Sequence, residues 1–238
     1  MKQRGLKVNG TAYAWGTNAY GQLGINSTAA YVPTPTAVAG GPYTQVMAGE
    51  THALALRADG KAYAWGDNSN GALGNPSNAG TTTPNPSPLP VSGGPYSQLA
   101  PSFFYTLALT PSGALYAWGA NQYGQFGNGT TGPARASNPV PARVGTAVYT
   151  QVAAGPVYCM ALRADGTLWW GTNAGGQLGI ATNNGTYITV TTPTLVDGGI
   201  YTQVAAGGAV TLALKPNGTL WAWGGGKPGV AAAVAAAR

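Results

Sequence analysis

The feature that most restricts the fold is one motif written five times. YAWGTNAYGQLG runs from Tyr13 to Gly24, YAWGDNSNGALG starts at Tyr63 and YAWGANQYGQFG at Tyr116. WWGTNAGGQLG from Trp169 is a fourth copy, and WAWGGGKPG from Trp221 is a fifth that breaks off after its Trp-Gly. Units this short cannot cover their own apolar faces, so neighbouring copies must bury one another. A second signature sets the period. Asn9-Gly10, Asp59-Gly60, Ser112-Gly113, Asp165-Gly166 and Asn217-Gly218 lie 50, 53, 53 and 52 residues apart. Each is a two-residue turn signal that predicts a tight β-hairpin with positive φ angles.

The residues flanking each turn alternate as strands do. Before it, Leu54-Ala-Leu56, Leu107-Ala-Leu109, Met160-Ala-Leu162 and Leu212-Ala-Leu214 put large side chains on one face and Ala on the other. After it, Tyr63-Ala-Trp65 and Tyr116-Ala-Trp118 do the same with aromatics, which is the two-residue periodicity of a sheet. A YTQV-type strand precedes each complete hairpin, at Tyr43, Tyr96, Tyr149 and Tyr201, and a Pro-rich segment follows the GQLG turn, at Pro35, Pro88, Pro139 and Pro193. Proline removes a backbone donor, so this segment belongs at a sheet edge.

With these positions named A (YTQV), B (L-A-L), C (aromatic-A-Trp) and D (the Pro segment), each repeat supplies four short strands. The expectation is an all-β chain, a β-propeller-type array of about four four-stranded blades. Repeat units near 11–60, 61–113, 114–166 and 167–218 make up a domain over 1–226, and the Ala-rich tail 227–238 is expected to lack structure. In the frame D-A-B-C four sets are complete, with one further C at the front. Because C then stands at both ends, an open arc or part of a larger ring is expected, with a closed four-blade ring as the alternative. Open blade edges would favour self-association.

The full pattern resembles a known repeat. Gly49-Glu-Thr-His52-Ala-Leu-Ala-Leu56, followed by Asp59-Gly60, Trp65-Gly66 and Gly71-Ala-Leu-Gly74, is similar to the regulator-of-chromosome-condensation repeat, and the similarity extends over residues 4 to 226. The resemblance implies a propeller, commonly of seven blades. It also implies functions as different as nucleotide exchange on a small GTPase and inhibition of β-lactamases, so it carries architecture better than activity. Two departures stand out. The repeat's His is present only as His52, with Tyr105, Tyr158 and Val210 at the equivalent positions. The fourth copy, DGTLWWG, is one residue shorter than DGKAYAWG. A one-residue slip reverses every later side chain, so a bulge near Trp169 and Trp170 is expected to absorb it.

Charge narrows the choice of partner. The net charge is +6, but Lys2, Arg4, Lys7, Lys227 and Arg238 lie at the two ends, and residues 8 to 226 hold six basic and five acidic side chains. Strong nucleic-acid binding through the repeats is not expected, because that affinity comes from phosphate neutralisation. Cys159 stands alone on a strand pattern and is expected as a small buried residue rather than a reactive thiol. The start MKQRGLKVNG has no apolar segment behind it, and no run approaches a membrane span. No membrane association is expected, and a cytoplasmic location is the default expectation.

Catalytic chemistry is sparse. One His, one Cys and five acids are too few for a metal site, and no cofactor is expected. No G-x-S-x-G occurs, and Gly224-Gly-Gly-Lys227-Pro228 lacks the Ser or Thr of a phosphate loop. Glu50 and His52, two residues apart, could form a weak acid–base pair, but a His typical of the repeat that makes structural hydrogen bonds is the preferred reading. No enzyme is expected. The segment entering strand B is the irregular one: it reads Gly49-Glu-Thr-His52 and Gly155-Pro-Val-Tyr158, but Ser102-Phe-Phe-Tyr105 in between. In the β-lactamase-inhibitor branch, the resemblance implies, aromatics of this loop form the partner surface. The expected partner-binding residues are Phe103, Phe104 and Tyr105, with Glu50, His52 and Tyr158 around them. The function expected is a non-enzymatic scaffold for protein–protein interaction. The alternatives are a guanine-nucleotide exchange regulator of a small GTPase and a structural repeat module of a surface protein.

Overall fold

Each turn signal marks a hairpin, and the hairpins are organised into five antiparallel sheets. The computed structural model describes residues 2–133, 137–180, 189–195, 199–225 and 232–234. The first sheet contains β1 (Lys2–Leu6), β2 (Ala12–Thr17) and β3 (Tyr31–Ala37). The second contains β4 (Gln45–Ala48), β5 (His52–Leu56), β6 (Ala62–Gly66) and β7 (Asn85–Pro90), and the third β8 (Gln98–Pro101), β9 (Tyr105–Leu109), β10 (Ala114–Gly119) and β11 (Ala142–Val148). The fourth contains β12 (Gln151–Ala154), β13 (Tyr158–Arg163), β14 (Gly166–Thr172) and β15 (Thr189–Leu195). The fifth contains β16 (Gln203–Gly207), β17 (Val210–Leu214), β18 (Leu220–Gly224) and β19 (Ala232–Val234).

The strands of a sheet follow one another in the order A-B-C-D, so the frame D-A-B-C does not describe a blade. Strand D pairs with the C before it, as Tyr63 with Pro90 and Gly66 with Asn85, and the next A begins another sheet. The C–D pairing is held by a side chain, since Asn85 Nδ2 donates to the Gly66 carbonyl at 2.9 Å. The repeat units read from sequence therefore straddle two sheets each. Within the tail, Ala232–Val234 pairs with β18, Leu220 opposite Val234, where the edge of β18 offers unpaired backbone groups. The rest of the tail lies outside the described residues. The chain divides into two compact units, Met1–Pro111 with Tyr116–Ala120 and Ala134–Arg143, and Ser112–Leu115 with Asn121–Pro133 and Val144–Arg238.

The hairpin turns differ from the two-residue form. Lys7, Arg57 and Lys215 N–H donate to the carbonyls of Thr11, Lys61 and Thr219 at 3.0 Å, which leaves three residues in each loop. Only the Gly of each pair is left-handed, with φ of 80°, 77° and 81° at Gly10, Gly60 and Gly218. The preceding Asn or Asp instead accepts from the N–H two residues on, as Asp59 Oδ1 does from Lys61 at 3.0 Å. The fourth copy absorbs its missing residue here. Arg163 pairs directly with Gly166, and from that point Cys159 faces Trp170 just as Ala53 faces Trp65. The register shift beside Trp169 and Gly171 is present, but it recurs between Ala14 and Gly16 and between Ala64 and Gly66. It is a property of the C–D pairing and not a repair.

Alternation along B and C gives each blade two complementary faces. Leu54 and Leu56 pair with Ala64 and Ala62, while Ala53 and Ala55 pair with Trp65 and Tyr63. The Leu face packs on Leu73, Leu99, Ala108 and Trp118, and the Ala–aromatic face packs on Ala12, Ala14, Leu23 and Tyr43. In the second unit Met160 and Leu162 meet Ala213 and Trp223 in the same way. Large residues of one sheet thus oppose small ones of the next, the condition for close packing. Burying a side chain such as Leu54 contributes about 1.5–3 kcal/mol.

The GQLG turn is the joint between neighbouring sheets. Its core is an Asn side chain: Asn18, Asn68, Asn121 and Asn173 accept from the N–H of Leu23, Leu73, Phe126 and Leu178 at 2.8–3.0 Å. This turns one carbonyl toward the next blade, where a Trp indole donates to it: Trp65 to Gln22 (3.1 Å), Trp118 to Ala72 (2.8 Å), Trp170 to Gln125 (2.6 Å) and Trp223 to Gln177 (3.0 Å). A second donor reaches three of the four carbonyls, from Thr106 (3.1 Å), Cys159 (3.1 Å) and Thr211 (2.7 Å). Cys159 is buried, as expected. The last Gly of the turn must be Gly, since a Cβ on Gly74, at φ +70°, would lie 2.9 Å from the Trp118 indole nitrogen.

Candidate protein-interaction site

The loop between A and B owes its shape to the backbone of its own sheet. The residue before strand B presents its carbonyl to the N–H that follows the Trp-Gly of strand C: Thr51 to Asp67 (3.0 Å), Phe104 to Ala120 (2.9 Å), Val157 to Thr172 (3.0 Å) and Ala209 to Gly225 (2.9 Å). With that carbonyl tied inward, the side chain of the same residue is left at the rim. In the third sheet the loop is closed further by Ser102 N–H donating to the Tyr105 carbonyl at 2.9 Å. Phe103 and Phe104 occupy its tip. Their accessibilities of 41% and 38% put both rings at the surface, and the two meet edge to face, centroids 6.1 Å apart at 85°. Gly49 lies directly against this loop, because a Cβ there would overlap the Ser102 carbonyl oxygen. The two entry loops, 49–51 and 102–104, are therefore neighbours.

The remaining candidates divide between surface and interior. Glu50 is exposed on the neighbouring loop. Tyr105, Tyr158 and His52 are fully buried and do not belong to a partner-facing surface. The reason is register: each is the first residue of strand B, opposite the Gly that ends strand C, as His52 with Gly66 and Tyr158 with Gly171, and from there it reaches the next sheet. Thr106 Oγ1 lies 3.5 Å from His52 Nε2, and Tyr158 Oη donates to the Val210 carbonyl at 2.6 Å. Burial pushes the Tyr158 phenol up, with Thr211 opposing the shift. His52 thus lies in the interior and Glu50 at the surface. Among the described residues no three His, Cys, Asp or Glu side chains converge as a metal ion requires, and no helix is long and apolar enough to cross a membrane.

The family model described as "Regulator of chromosome condensation (RCC1) repeat" matches residues 9–56, 59–100 and 112–162, more than half of the chain. The chain belongs to the RCC1 repeat family. The ultraviolet-B receptor UVR8 of Arabidopsis thaliana is 32% identical over 230 residues, which cover 94% of this chain and 51% of UVR8. Yeast RCC1 (Prp20), in its crystal structure with Kap60, matches at a TM-score of 0.79 and 26% identity, covering 94% of this chain and 54% of that one. Human WBSCR16 matches at 0.83 and 22% identity over 98% of this chain and 64% of its own, a likeness of fold alone. The chain thus spans about half the length of UVR8 and Prp20. Its several four-stranded sheets are those of an RCC1-type β-propeller over most of the chain.

Within these RCC1 repeats, the sequence reading missed which Gln and Asn groups make the joints between sheets. The signal was present, because the Asn and the Trp recur in register in every complete copy. Their partners are backbone carbonyls some 43 to 46 residues away, which no side-chain pattern displays. Repetition also identifies what is not shared. The RCC1 framework requires a carbonyl at the entry to strand B, and it leaves the side chain there unspecified. Thr51, Phe104, Val157 and Ala209 fill the same place, so the Phe pair is an addition to the framework.

Proposed function

We propose that this chain is a non-enzymatic RCC1-repeat scaffold that binds another protein through the loop carrying Phe103 and Phe104. The observation that carries the reading is the accessibility of both rings on a loop whose backbone is pinned at Phe104 and Ser102. A rigid pair of aromatic rings loses little conformational freedom on binding and fits the centre of a desolvated interface. A structural relative lends support: Prp20 was solved with Kap60 and was studied for its binding to Gsp1p and histones. The poverty of catalytic groups in the sequence favours binding over chemistry.

The test compares proteins retained by the immobilised chain with those retained by the F103A/F104A variant. A partner held by the first and lost from the second is then purified and titrated against both. Truncating aromatic anchors of this kind removes on the order of 2 kcal/mol or more, so affinity should fall roughly thirtyfold while the melting temperature stays within about 2 °C. Unchanged affinity in the double variant would refute the assignment.

A further inference from the structure

Building on that reading of the Phe pair, we infer that the segment bound there is cationic, a Lys- or Arg-bearing stretch of the partner protein that places its charge between the Phe103–Phe104 rings and the carboxylates of Glu50 and Asp67. The inference comes from a contrast between the two ends of the hairpins.

At the turn end this chain supplies its own cations. Asp59 is paired with Lys61 at 3.4 Å and Asp165 with Arg163 at 2.8 Å. The aromatic rings there are covered as well: Lys7 lies 4.7 Å from the Tyr13 centroid, Arg57 4.2 Å from Tyr63 and Lys215 4.2 Å from Trp221.

At the loop end the corresponding groups lack cations. Among the described residues Glu50 and Asp67 form no ion pair, and no Lys or Arg sits over Phe103 or Phe104. Asp67 is oriented by Ser69, whose N–H and hydroxyl both donate to it at 3.0 Å, and by the Thr51 hydroxyl at 3.3 Å. Its carboxylate is thereby held beside the loop of Glu50, because Asp67 N–H is bonded to the Thr51 carbonyl. Lys2 opens the first sheet at this end, paired through its backbone with Gly16, two sheets before the Phe pair in chain order. Two carboxylates and two accessible aromatic rings, grouped where the loop of Gly49 lies against that of Ser102, complement a guanidinium or ammonium group on an apolar stem. Its charge meets the acids and its stem or face meets the rings. An acidic segment would be repelled by the same arrangement.

The test uses a random 16-residue peptide library displayed on phage, selected on the immobilised full chain and counter-selected on F103A/F104A. Peptides that depend on the Phe pair should carry a net positive charge. A selected peptide, made with a fluorescent label, should lose about three- to fivefold in affinity with Glu50→Gln and similarly with Asp67→Asn, the range of rim charge pairs. Its affinity should also fall with added salt. Melting curves of each variant confirm folding. Phe-dependent peptides that are neutral or acidic, or affinities indifferent to Glu50→Gln and Asp67→Asn, would overturn the cationic assignment and leave the Phe site standing. Selection giving the same peptides on the chain and on F103A/F104A would overturn both.

Discussion

Removing one indole N–H should destabilise the protein by different amounts at two otherwise equivalent joints. Trp65 and Trp118 are both buried, and each donates to a carbonyl of the preceding GQLG turn, Gln22 at 3.1 Å and Ala72 at 2.8 Å. Trp→Phe removes the same atoms at both sites, so the loss of packing largely cancels in the comparison. What differs is the acceptor left behind. The Ala72 carbonyl keeps the Thr106 hydroxyl at 3.1 Å, so W118F loses one hydrogen bond, about 1 kcal/mol. At the other joint the place of Thr106 is taken by Ala53, and the described structure gives Gln22 no second donor. W65F therefore leaves a buried carbonyl unsatisfied, and the desolvation of that group adds about 1–3 kcal/mol. Thermal melts followed by circular dichroism should place W65F below W118F by about 2–12 °C, at about 2–4 °C per kcal/mol for a chain of this size. Adding T106V to W118F should bring it down to the W65F level, a coupling well beyond the sum of the single changes. Equal melting of W65F and W118F, or additive behaviour of T106V, would refute this account of the joint.

The other expectations concern the turn, the site and the phenols. Gly74→Ala places a methyl group against Val91 and the Trp118 indole at a left-handed φ and should lower stability by about 2 kcal/mol or more in urea titrations, whereas Gly5→Ala, with nothing within 4 Å, should stay within about 0.5 kcal/mol of the parent. Tyr105→Ala, at a fully buried position, should cost about 3–5 kcal/mol and lower the melting temperature sharply, in contrast to F103A/F104A. Burial raises the phenols of Tyr43 and Tyr96 to about 12. The unfolded chain releases those protons near pH 10 and the folded one does not, so their contribution to stability is complete below about pH 10 and is lost as pH rises toward 12. Melting temperature against pH should fall in that window, and less steeply in Y43F/Y96F.

Much of the architecture was legible because strand patterns are local. Leu54-Ala-Leu56 against Tyr63-Ala-Trp65 states which side chains share a face, and the sheet keeps that assignment. The prolines of strand D identified an edge, and it is one. The turn type was not legible, since Asp59-Gly60 suits a two-residue or a three-residue loop equally well. The choice is made by where Arg57 finds its partner across the hairpin. The same ambiguity hid the remedy for the short fourth copy, in which Arg163 pairs with Gly166.

The candidate site divides along the same line. That Ser102-Phe-Phe-Tyr105 departs from its counterparts is a fact of sequence, and so is the scarcity of groups for catalysis. The sequence alone determined the repeat, the strand periodicity and the location of the anomaly, because each is a relation between residues close in the chain. Only the tertiary structure decided which of the three aromatics are exposed. Tyr105 faces Gly119 across the hairpin and is enclosed, whereas the Phe104 carbonyl is tied to Ala120 and its ring is left at the rim. The grouping of strands into sheets was likewise decided there. D joins the preceding C through Asn85 and Gly66, and the Trp of each following sheet reaches back to a carbonyl of the sheet before it. In each, a side chain donates to a backbone carbonyl 19 to 46 residues away, and every residue carries that carbonyl alike, so no pattern of side chains announces the acceptor.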